Sequence, residues 1–322
     1  MVTVFVCGDV MTGRGLDQVL PHPGHPELRE AHARDARAYV ALAERAHGPI
    51  PRPVSFSWPW GDALGMLEDI APDVRVINLE TTITADGDFA PGKAVHYRMS
   101  PGNAGCLTAA RPDACALANN HMLDFGPRGL GDTVQALAGA GLCAVGAGPD
   151  REAARRPGDV AIVSIHWGSN WGYRVDPDQV RFARRLIDSG IDLVHGHSSH
   201  HPRPIEVYRG KLILYGCGDC IDDYEGITGH QDYRPDLRLL YFASLDPDTG
   251  QLAALRMAPM QARKMQLHQA PAADRQWLTA VLDRISHGFG SRIDLRPDGM
   301  LALRPAPQPS GPPRHGNPVD RK

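Results

Sequence analysis

Residues 2–9 read VTVFVCGD, a short β-branched apolar run that ends in a glycine and an aspartate. Apolar runs of this length and composition are typical of strands that are buried in a sheet. Runs of the same kind recur along the chain at residues 74–77, 114–117, 160–165, 193–194, 211–214 and 237–242. We therefore predict that residues 2–6 form the first of several buried strands.

Helical patterns lie between these predicted strands. Apolar residues at three- and four-residue spacing predict helices over residues 62–70, 129–140, 178–189 and 272–287. Strands that alternate with helices are typical of a layered α/β fold. We expect one domain over residues 1–304, with an insert at residues 21–60 that holds a helix near residues 27–47. Residues 305–322 contain six Pro and no periodicity, which predicts a disordered tail.

Polar residues follow five consecutive predicted strands. In chain order they are Asp9, Glu80, Asn120 with His121, His166, and His197 with His200. In open α/β sheets, ligands bind beyond the carboxyl ends of the strands. Turn chemistry explains a single Asp or Asn at such a place, but His and Glu are not turn formers. The sequence therefore predicts that these strand ends converge on a metal site.

The mixture of side chains indicates which metals would bind. Imidazole combined with carboxylate and amide oxygen suits Mn²⁺, Fe or Zn²⁺, whereas a structural zinc site would require a Cys-rich set. A carboxylate can bridge two such ions, and a metal-bound water becomes hydroxide near neutral pH and attacks a substrate. We therefore expect a hydrolase that uses one or two divalent metal ions.

Charge and composition exclude several classes of partner. The net charge is −3 without any basic block, which argues against nucleic acid and against a membrane surface. The N-terminal MVTVFVCGDV lacks the features of a signal peptide. We therefore expect a cytoplasmic protein whose substrate is a small molecule or a short polymer.

The six Cys are expected to be reduced core residues, and Cys217 and Cys220 lack the second pair that a zinc site needs. The sequence gives no indication of the oligomeric state.

Six segments together resemble one known family. They are GDVMTGR (8–14), NLETTIT (78–84), ANNHMLDFG (118–126), SIHWGSNW (164–171), HGHSSHHPRPIEVY (195–208) and GKLILYGCGDCIDDYEG (210–226). In this order they are similar to the CapA family, which is named for poly-γ-glutamate capsule biosynthesis and belongs to the calcineurin-like metallophosphoesterase superfamily. The resemblance runs from about residue 3 to about residue 245. It implies a four-layer α/β/β/α sandwich, metallophosphoesterase-like, with metals at the sheet edge.

The resemblance also implies a role for each site residue. Glu80 stands where the superfamily usually has a bridging Asp, and the remaining implied metal ligands are Asp9, Asn120, His166, His197 and His200. His121 resembles the His that contacts the leaving group, and Asp124 would orient it. The superfamily's first motif is Asp-x-His, but here the third place is Met11, a poor ligand for hard ions. One of the two ions is therefore expected to bind more weakly, or to use another group.

Two further residues are candidates for contact with the substrate. Arg14 could hold a phosphate or carboxylate in a bidentate fork; the alternative is a surface Arg on the first turn of a helix. Trp167 is close enough to His166 in the sequence to shape the pocket wall.

Three functions stay open at the level of the sequence. The resemblance favours hydrolysis of a phosphate ester. The same hydroxide and the same His121 could instead cleave an amide or γ-glutamyl bond. The third alternative is a non-enzymatic protein that handles a capsule or polymer.

Overall fold

The computed structural model describes residues 1–146 and 160–304. The tail predicted at residues 305–322 lies outside the described residues. In the described ranges the α-helices are α1 (Arg14–Asp17), α2 (Arg37–His47), α3 (Ala63–Ile70), α4 (Gly105–Thr108), α5 (Gly126–Gly139), α6 (Pro177–Asp188) and α7 (Ala272–Ser286). Short 3-10 helices span Pro101–Asn103, Gln231–Tyr233 and His287–Phe289.

The strands of the described ranges form two main sheets and one small pair. They are β1 (Val2–Val10), β2 (Val74–Leu79), β3 (Thr82–Ile83), β4 (Arg98–Met99), β5 (Ala114–Ala116), β6 (Cys143–Val145), β7 (Ile162–His166), β8 (Leu193–His197), β9 (Ile205–Tyr208), β10 (Lys211–Leu214), β11 (Asp219–Ile221), β12 (Leu237–Leu245), β13 (Leu252–Arg263), β14 (Gln266–Gln269), β15 (Ile293–Leu295) and β16 (Leu301–Leu303). The large sheet has ten strands in the order β15-β16-β13-β12-β1-β2-β5-β6, with β11 beside β1 and β14 beside β13. The second sheet has the order β7-β8-β10-β9, and β3 pairs with β4.

Parallel pairing dominates where the site residues lie. In the large sheet β1, β2, β5 and β6 are parallel neighbours, and in the second sheet β7, β8 and β10 are parallel neighbours. Parallel strands end at the same edge of a sheet, so the residues at their carboxyl ends are collected there. The predicted α/β class is confirmed, because mixed sheets are combined with several helices.

Alternating side chains of the large sheet build two separate cores. Phe5 and Cys7 of β1 belong to an apolar cluster that also contains Val40 of α2. Val4 and Val6 point to the opposite face and belong to a second apolar cluster. This alternation follows from the two-residue period of a strand. Because both faces of β1 are buried, its sequence reads as an unbroken apolar run.

The second apolar cluster contains side chains from both sheets. Leu239 of β12 and Leu212 of β10 are members, and Leu278 of α7 joins them. On the other face of the second sheet, Val194 of β8 packs with Ala183 of α6 in a third cluster. The two sheets therefore share one apolar interior, which fixes how their edges lie relative to each other.

The predicted strands and helices are present with shifted ends. β1 continues to Val10, whereas the prediction stopped at residue 6, because Asp9 still pairs with Asn78 and Asp219. The helix predicted near residues 27–47 is wrong over residues 27–36, since α2 begins at Arg37 and an isolated bridge between Glu27 and Asp35 precedes it.

The described cysteines are all free, but not all of them are core residues. Cys143 is exposed, in contrast to the prediction, and the other five are buried. A membrane-crossing helix would need more length and apolar character than any helix in the described ranges has.

We expect Leu240→Ala to lower the free energy of unfolding by about 2–5 kcal/mol, because Leu240 is fully buried at 0% exposure in the first cluster and the substitution leaves a cavity. Leu295→Ala is the matched control, since Leu295 is 37% exposed on the edge strand β15, and it should cost about 1 kcal/mol or less. Urea unfolding followed by circular dichroism measures both values. Equal losses in the two variants would contradict the assignment of Leu240 to the core.

Candidate metal centre

Three side chains from the two sheets meet at the carboxyl ends of their strands. Asp9 of β1, His166 of β7 and His197 of β8 each offer one ligand atom, and these atoms lie within 4.8 Å of one another. The Nδ1 atom of His197 lies 3.3 Å from Oδ1 of Asp9 and 3.3 Å from Nδ1 of His166. Asp9 and His197 are each 1% exposed. Two imidazoles and a carboxylate at these separations, with only His166 partly open to the cleft, form a set that can hold a divalent cation.

Asp9 is held in place by neighbours on both sides. The side-chain Nδ2 of Asn78 on β2 donates to Oδ1 at 2.7 Å, and the backbone N–H of Ser198 donates to Oδ2 at 3.1 Å. Ser198 has a φ of +103°, a conformation that residues other than glycine seldom adopt. Burial alone would raise the pKa of Asp9, but His197 and His166 outweigh it and hold this pKa below its usual value. Asp9 is therefore a carboxylate at neutral pH.

A chain of hydrogen bonds orients His197. The Nε2 atom of His195 lies 2.7 Å from the backbone oxygen of Cys7, and because a carbonyl only accepts, this nitrogen is the donor. Burial, reinforced by His197, lowers the pKa of His195 to about 3, so its Nδ1 has a free lone pair. The Ser164 hydroxyl lies 3.1 Å from that Nδ1 and 3.1 Å from Nε2 of His197. Ser164 therefore donates to His195 and accepts from His197, which leaves Nδ1 of His197 as the atom available to an ion.

Glu80 follows β2 and lies between His121 and His166. Its Oε1 atom is 3.7 Å from Nε2 of His121 and 3.9 Å from Nε2 of His166. Its Oε2 atom is buried and has no hydrogen-bond partner among the residues that the structure describes. Burial and then the charge of Asp9 raise the pKa of Glu80 well above its usual value. Leaving a buried carboxylate oxygen without a partner is costly, and a bound cation would remove that cost.

His200 and Asn120 lie on the same cleft but outside the cluster of three. Nδ1 of His200 is 3.0 Å from Oδ1 of Asp219, and its Nε2 is 3.1 Å from Nδ2 of Asn170. Burial alone would lower the pKa of His200, but the charge of Asp219 outweighs it and raises this pKa to about 9. Asn120 is exposed, and its backbone oxygen accepts a hydrogen bond from Lys93. The structure thus brings Asp9, His166 and His197 together more closely than the other predicted ligands.

His121 and Asp124 form a hydrogen-bonded pair beside Glu80. Nδ1 of His121 lies 2.7 Å from Oδ2 of Asp124, and the backbone N–H of Tyr97 donates to the same oxygen at 2.7 Å. The Lys93 ammonium forms an ion pair with the other oxygen of Asp124. Burial lowers the pKa of His121, and the Asp124 carboxylate opposes this shift. The ring is fixed through Nδ1, so that Nε2 is the atom presented to the cleft.

A cleft of about 260 Å³ gives access to these groups. The predicted site residues that line it are Glu80, Asn120, His121, His166 and His200. Lys93, Tyr97 and Tyr224 contribute to its walls. Carboxylate, imidazole, amide and ammonium groups therefore face one solvent-filled space.

The two predicted substrate contacts lie elsewhere. Arg14 is only 3% exposed. Its guanidinium pairs with Asp223 and Glu30 and lies 3.9 Å from the centre of the Tyr39 ring, so protein groups already occupy its donors. Both the substrate role and the surface alternative are therefore wrong for Arg14 in this structure. Trp167 donates from Nε1 to the backbone oxygen of Tyr215 at 3.0 Å and lines a neighbouring depression, not the metal cleft.

The place of the missing His ligand is filled by an apolar side chain. Met11 is 1% exposed, and the Tyr224 hydroxyl contacts its sulfur at 3.6 Å.

Several residues that orient the site were not predicted, namely Asn78, Lys93, Ser164, His195 and Asp219. The two-residue period of a strand could have revealed Ser164 and His195, because they lie on the same faces of β7 and β8 as His166 and His197.

Comparisons with known proteins agree with the resemblance. The model of the family described as "Bacterial capsule synthesis protein PGA_cap" matches residues 3–158 and 151–224. A "Probable polyglutamine synthesis accessory protein" of Mycobacterium tuberculosis is 52% identical over 95% of this chain and 97% of its own length. The "Capsule biosynthesis protein CapA" of Bacillus anthracis is 25% identical over 72% of this chain and 62% of its own length. The "PGA biosynthesis protein CapA" of Bacillus subtilis is 24% identical over 50% of this chain and 56% of its own length. The chain therefore belongs to the CapA-like family of bacterial capsule synthesis proteins.

Proposed function

We propose that this protein is a metal-dependent hydrolase that cleaves a phosphate ester in the cleft beside Asp9, His166 and His197. The observation that carries the proposal is the convergence of these three side chains next to a Glu80 oxygen that has no partner within residues 1–146 and 160–304. A purely structural cluster would satisfy its buried carboxylates with donors from the protein.

The residues fit a divalent ion by their chemistry and by their protonation. Asp9 is ionised, and burial, opposed by Asp9, lowers the pKa of His166 to about 4, so its imidazole is neutral near pH 7. Asp9, His166 and His197 would hold one ion, and Glu80, Asn120 and a deprotonated His200 would be the donors available to a second. Mixed nitrogen and oxygen donors suit Mn²⁺, Fe or Zn²⁺. When bound, such an ion supplies Lewis acidity and lowers the pKa of a water molecule to about 7.

His121 is the proposed general acid. Asp124 accepts from Nδ1 and favours the doubly protonated ring, in which Nε2 carries the proton that passes to the departing oxygen. Lys93 adds a positive charge at the cleft wall, where it would attract an anionic substrate. His121 is thus a catalytic residue in this proposal, whereas Asp124, Ser164 and His195 are positioning residues.

A γ-glutamyl amide is the second candidate substrate. The names of the relatives from M. tuberculosis and B. subtilis refer to polyglutamine and to PGA synthesis, which favours a glutamyl polymer. Amide hydrolysis would use the same groups, because His121 could protonate a leaving amine as well as a leaving oxygen.

For the architecture, we propose the four-layer α/β/β/α order. Three observations support it: α2 and α3 pack on one face of the large sheet, the second apolar cluster joins the two sheets, and α6 covers the outer face of the second sheet.

Metal binding should depend on Asp9. We expect the full chain to bind at least one ion after supplementation with Mn²⁺. Asp9→Asn should weaken binding by about 100-fold or more, since changes to residues that merely support a ligand already cost about 10–100-fold. Asp69→Asn, on the exposed side of α3, is the matched control. Elemental analysis by mass spectrometry and titration of the metal-free protein measure the effect. Less than one ion per wild-type chain would exclude the enzyme and leave a polymer-handling role.

His121→Ala should lower kcat by about 10²–10⁴-fold on an alkyl phosphate ester, because a poor leaving group needs a proton. The fall should be smaller for 4-nitrophenyl phosphate, whose leaving group is stable as an anion. His268→Ala is the control, since the His268 side chain is 41% exposed and lies on β14. Metal content measured in parallel must stay unchanged. An equal loss on both esters would contradict the acid role.

A substrate comparison separates the two candidate reactions. We expect the Mn²⁺-loaded protein to hydrolyse members of a panel of phosphomonoesters and phosphodiesters and to leave γ-glutamyl oligomers intact. Hydrolysis of the oligomers alone would replace the first candidate with the second. Phosphate release and chromatography of the oligomers are the measurements.

A further inference from the structure

A second cavity adjoins the metal cleft. It has a volume of about 210 Å³, and it shares His200 and Tyr224 with the cleft. Its other walls include Trp171, Ile227, His230 and Pro235. The shared residues place the cavity directly beside the space above the candidate metal ligands.

The walls of this cavity are flat and largely apolar. Trp171 stacks on His230 with ring centroids 3.9 Å apart and an angle of 12° between the rings, and it also contacts Tyr233 at 5.4 Å. The indole of Trp171 is therefore held in position by ring contacts with two residues. Ile227 is 45% exposed, which leaves a large apolar side chain facing water. Covering such surface is favourable at about 25 cal/mol per Å².

The metal cleft is lined by charged and polar groups, whereas the second cavity is lined mainly by apolar groups. The cleft presents Glu80, Lys93 and His121, whereas no Lys or Arg lines the described walls of the second cavity. Ligand sites usually combine a few polar groups that orient the ligand with apolar walls that bury the rest of it. A carboxylate placed against Trp171, Ile227 and Pro235 would lose water without gaining a Lys or Arg partner, and the His200 imidazole at the border of the cavity is already paired with Asp219.

We propose that this cavity, defined by Trp171, Tyr224, Ile227, His230 and Pro235 and here named the apolar subsite, binds an aromatic ring or a compact alkyl group that the substrate carries beside the bond to be cleaved. The inference rests on the proposed function, because it assigns one part of the substrate of that same site. A cavity of roughly 150 Å³ can hold a benzene molecule, so about 210 Å³ is sufficient for one ring. An unmodified glutamyl polymer, whose side chains are all carboxylates, does not complement the subsite.

The two loops that build the apolar subsite lie outside the sheets. Ile227, His230 and Pro235 all fall between β11 and β12, and Trp171 precedes α6. Loops on a rigid scaffold usually set specificity. Substitutions at Ile227 can therefore change the subsite without altering the strands that carry the candidate metal ligands.

The test compares ligands that differ only in the apolar group. Methylphosphonate and benzylphosphonate are titrated into the Mn²⁺-loaded full chain by isothermal calorimetry, together with γ-glutamyl methylamide and γ-glutamyl benzylamide. In whichever of these two pairs binds, we expect the benzyl compound to bind at least about tenfold more tightly than the methyl compound. Burying a ring yields more than the 1.4 kcal/mol that a tenfold change in affinity requires.

Two variants at Ile227 sharpen the comparison. Ile227→Ser removes apolar wall and Ile227→Trp fills the subsite, so both should bring the ratio of benzyl to methyl affinity close to one while methyl affinity stays unchanged. Leu295→Ser is the matched control, because Leu295 is exposed to a similar degree on β15, and it should leave the ratio unaltered.

The outcomes distinguish the subsite from the function on which it rests. Measurable binding with equal affinity for methyl and benzyl compounds overturns the apolar subsite and leaves the hydrolase proposal standing. A benzyl preference that survives both Ile227 variants also overturns the subsite. Failure of every phosphonate and amide to bind the metal-loaded chain overturns the proposed function, and the subsite with it.

Discussion

The carboxylate of Asp9 connects strands that belong to two different sheets. One of its oxygens accepts from Asn78 on β2, and the other accepts from the backbone of Ser198, which directly follows β8. A second link runs from His195 to the backbone oxygen of Cys7. These polar contacts lie at the edge of the apolar interior that the sheets share. The cleft keeps its shape because both the interior and these contacts hold the two edges in one alignment.

Electrostatics at the site follow from placing two carboxylates in the same buried environment. Contacts with His197 and His166 hold the pKa of Asp9 down despite its burial, while burial and the charge of Asp9 push the pKa of Glu80 up. Pairs of titratable groups whose pKa values are shifted in opposite directions are typical of sites that carry out acid–base chemistry. Asp9 therefore provides a permanent negative charge, whereas Glu80 has an oxygen that lacks a partner in the described part of the chain.

The site residues that were identified from the sequence follow from a local pattern, namely polar residues at the ends of apolar runs. The residues that were misassigned depend on contacts that the local sequence does not reveal. Asp9, His166 and His197 could be predicted because each lies at the end of an apolar run, and parallel pairing brings such ends together. Arg14 could not be assigned in this way, since its main partner Asp223 is 209 positions away in the sequence. Trp167 was misassigned for a related reason: closeness to His166 in sequence does not determine which side of a strand end a ring faces. The start of α2 was missed because helical spacing continues through residues that pair as an isolated bridge.

The alternation of side chains along β1 and β12 has a consequence for how the protein loses its structure. Each of these strands contributes to both the first and the second apolar cluster, so neither cluster can come apart without disturbing the other. Local opening, which in many proteins occurs at a free-energy cost well below that of global unfolding, requires a region with few shared contacts. Backbone amides around Asp9 should therefore exchange with solvent mainly through cooperative unfolding of the whole sheet. Opening of the candidate metal centre should thus cost the same free energy as unfolding of the sheet that contains it.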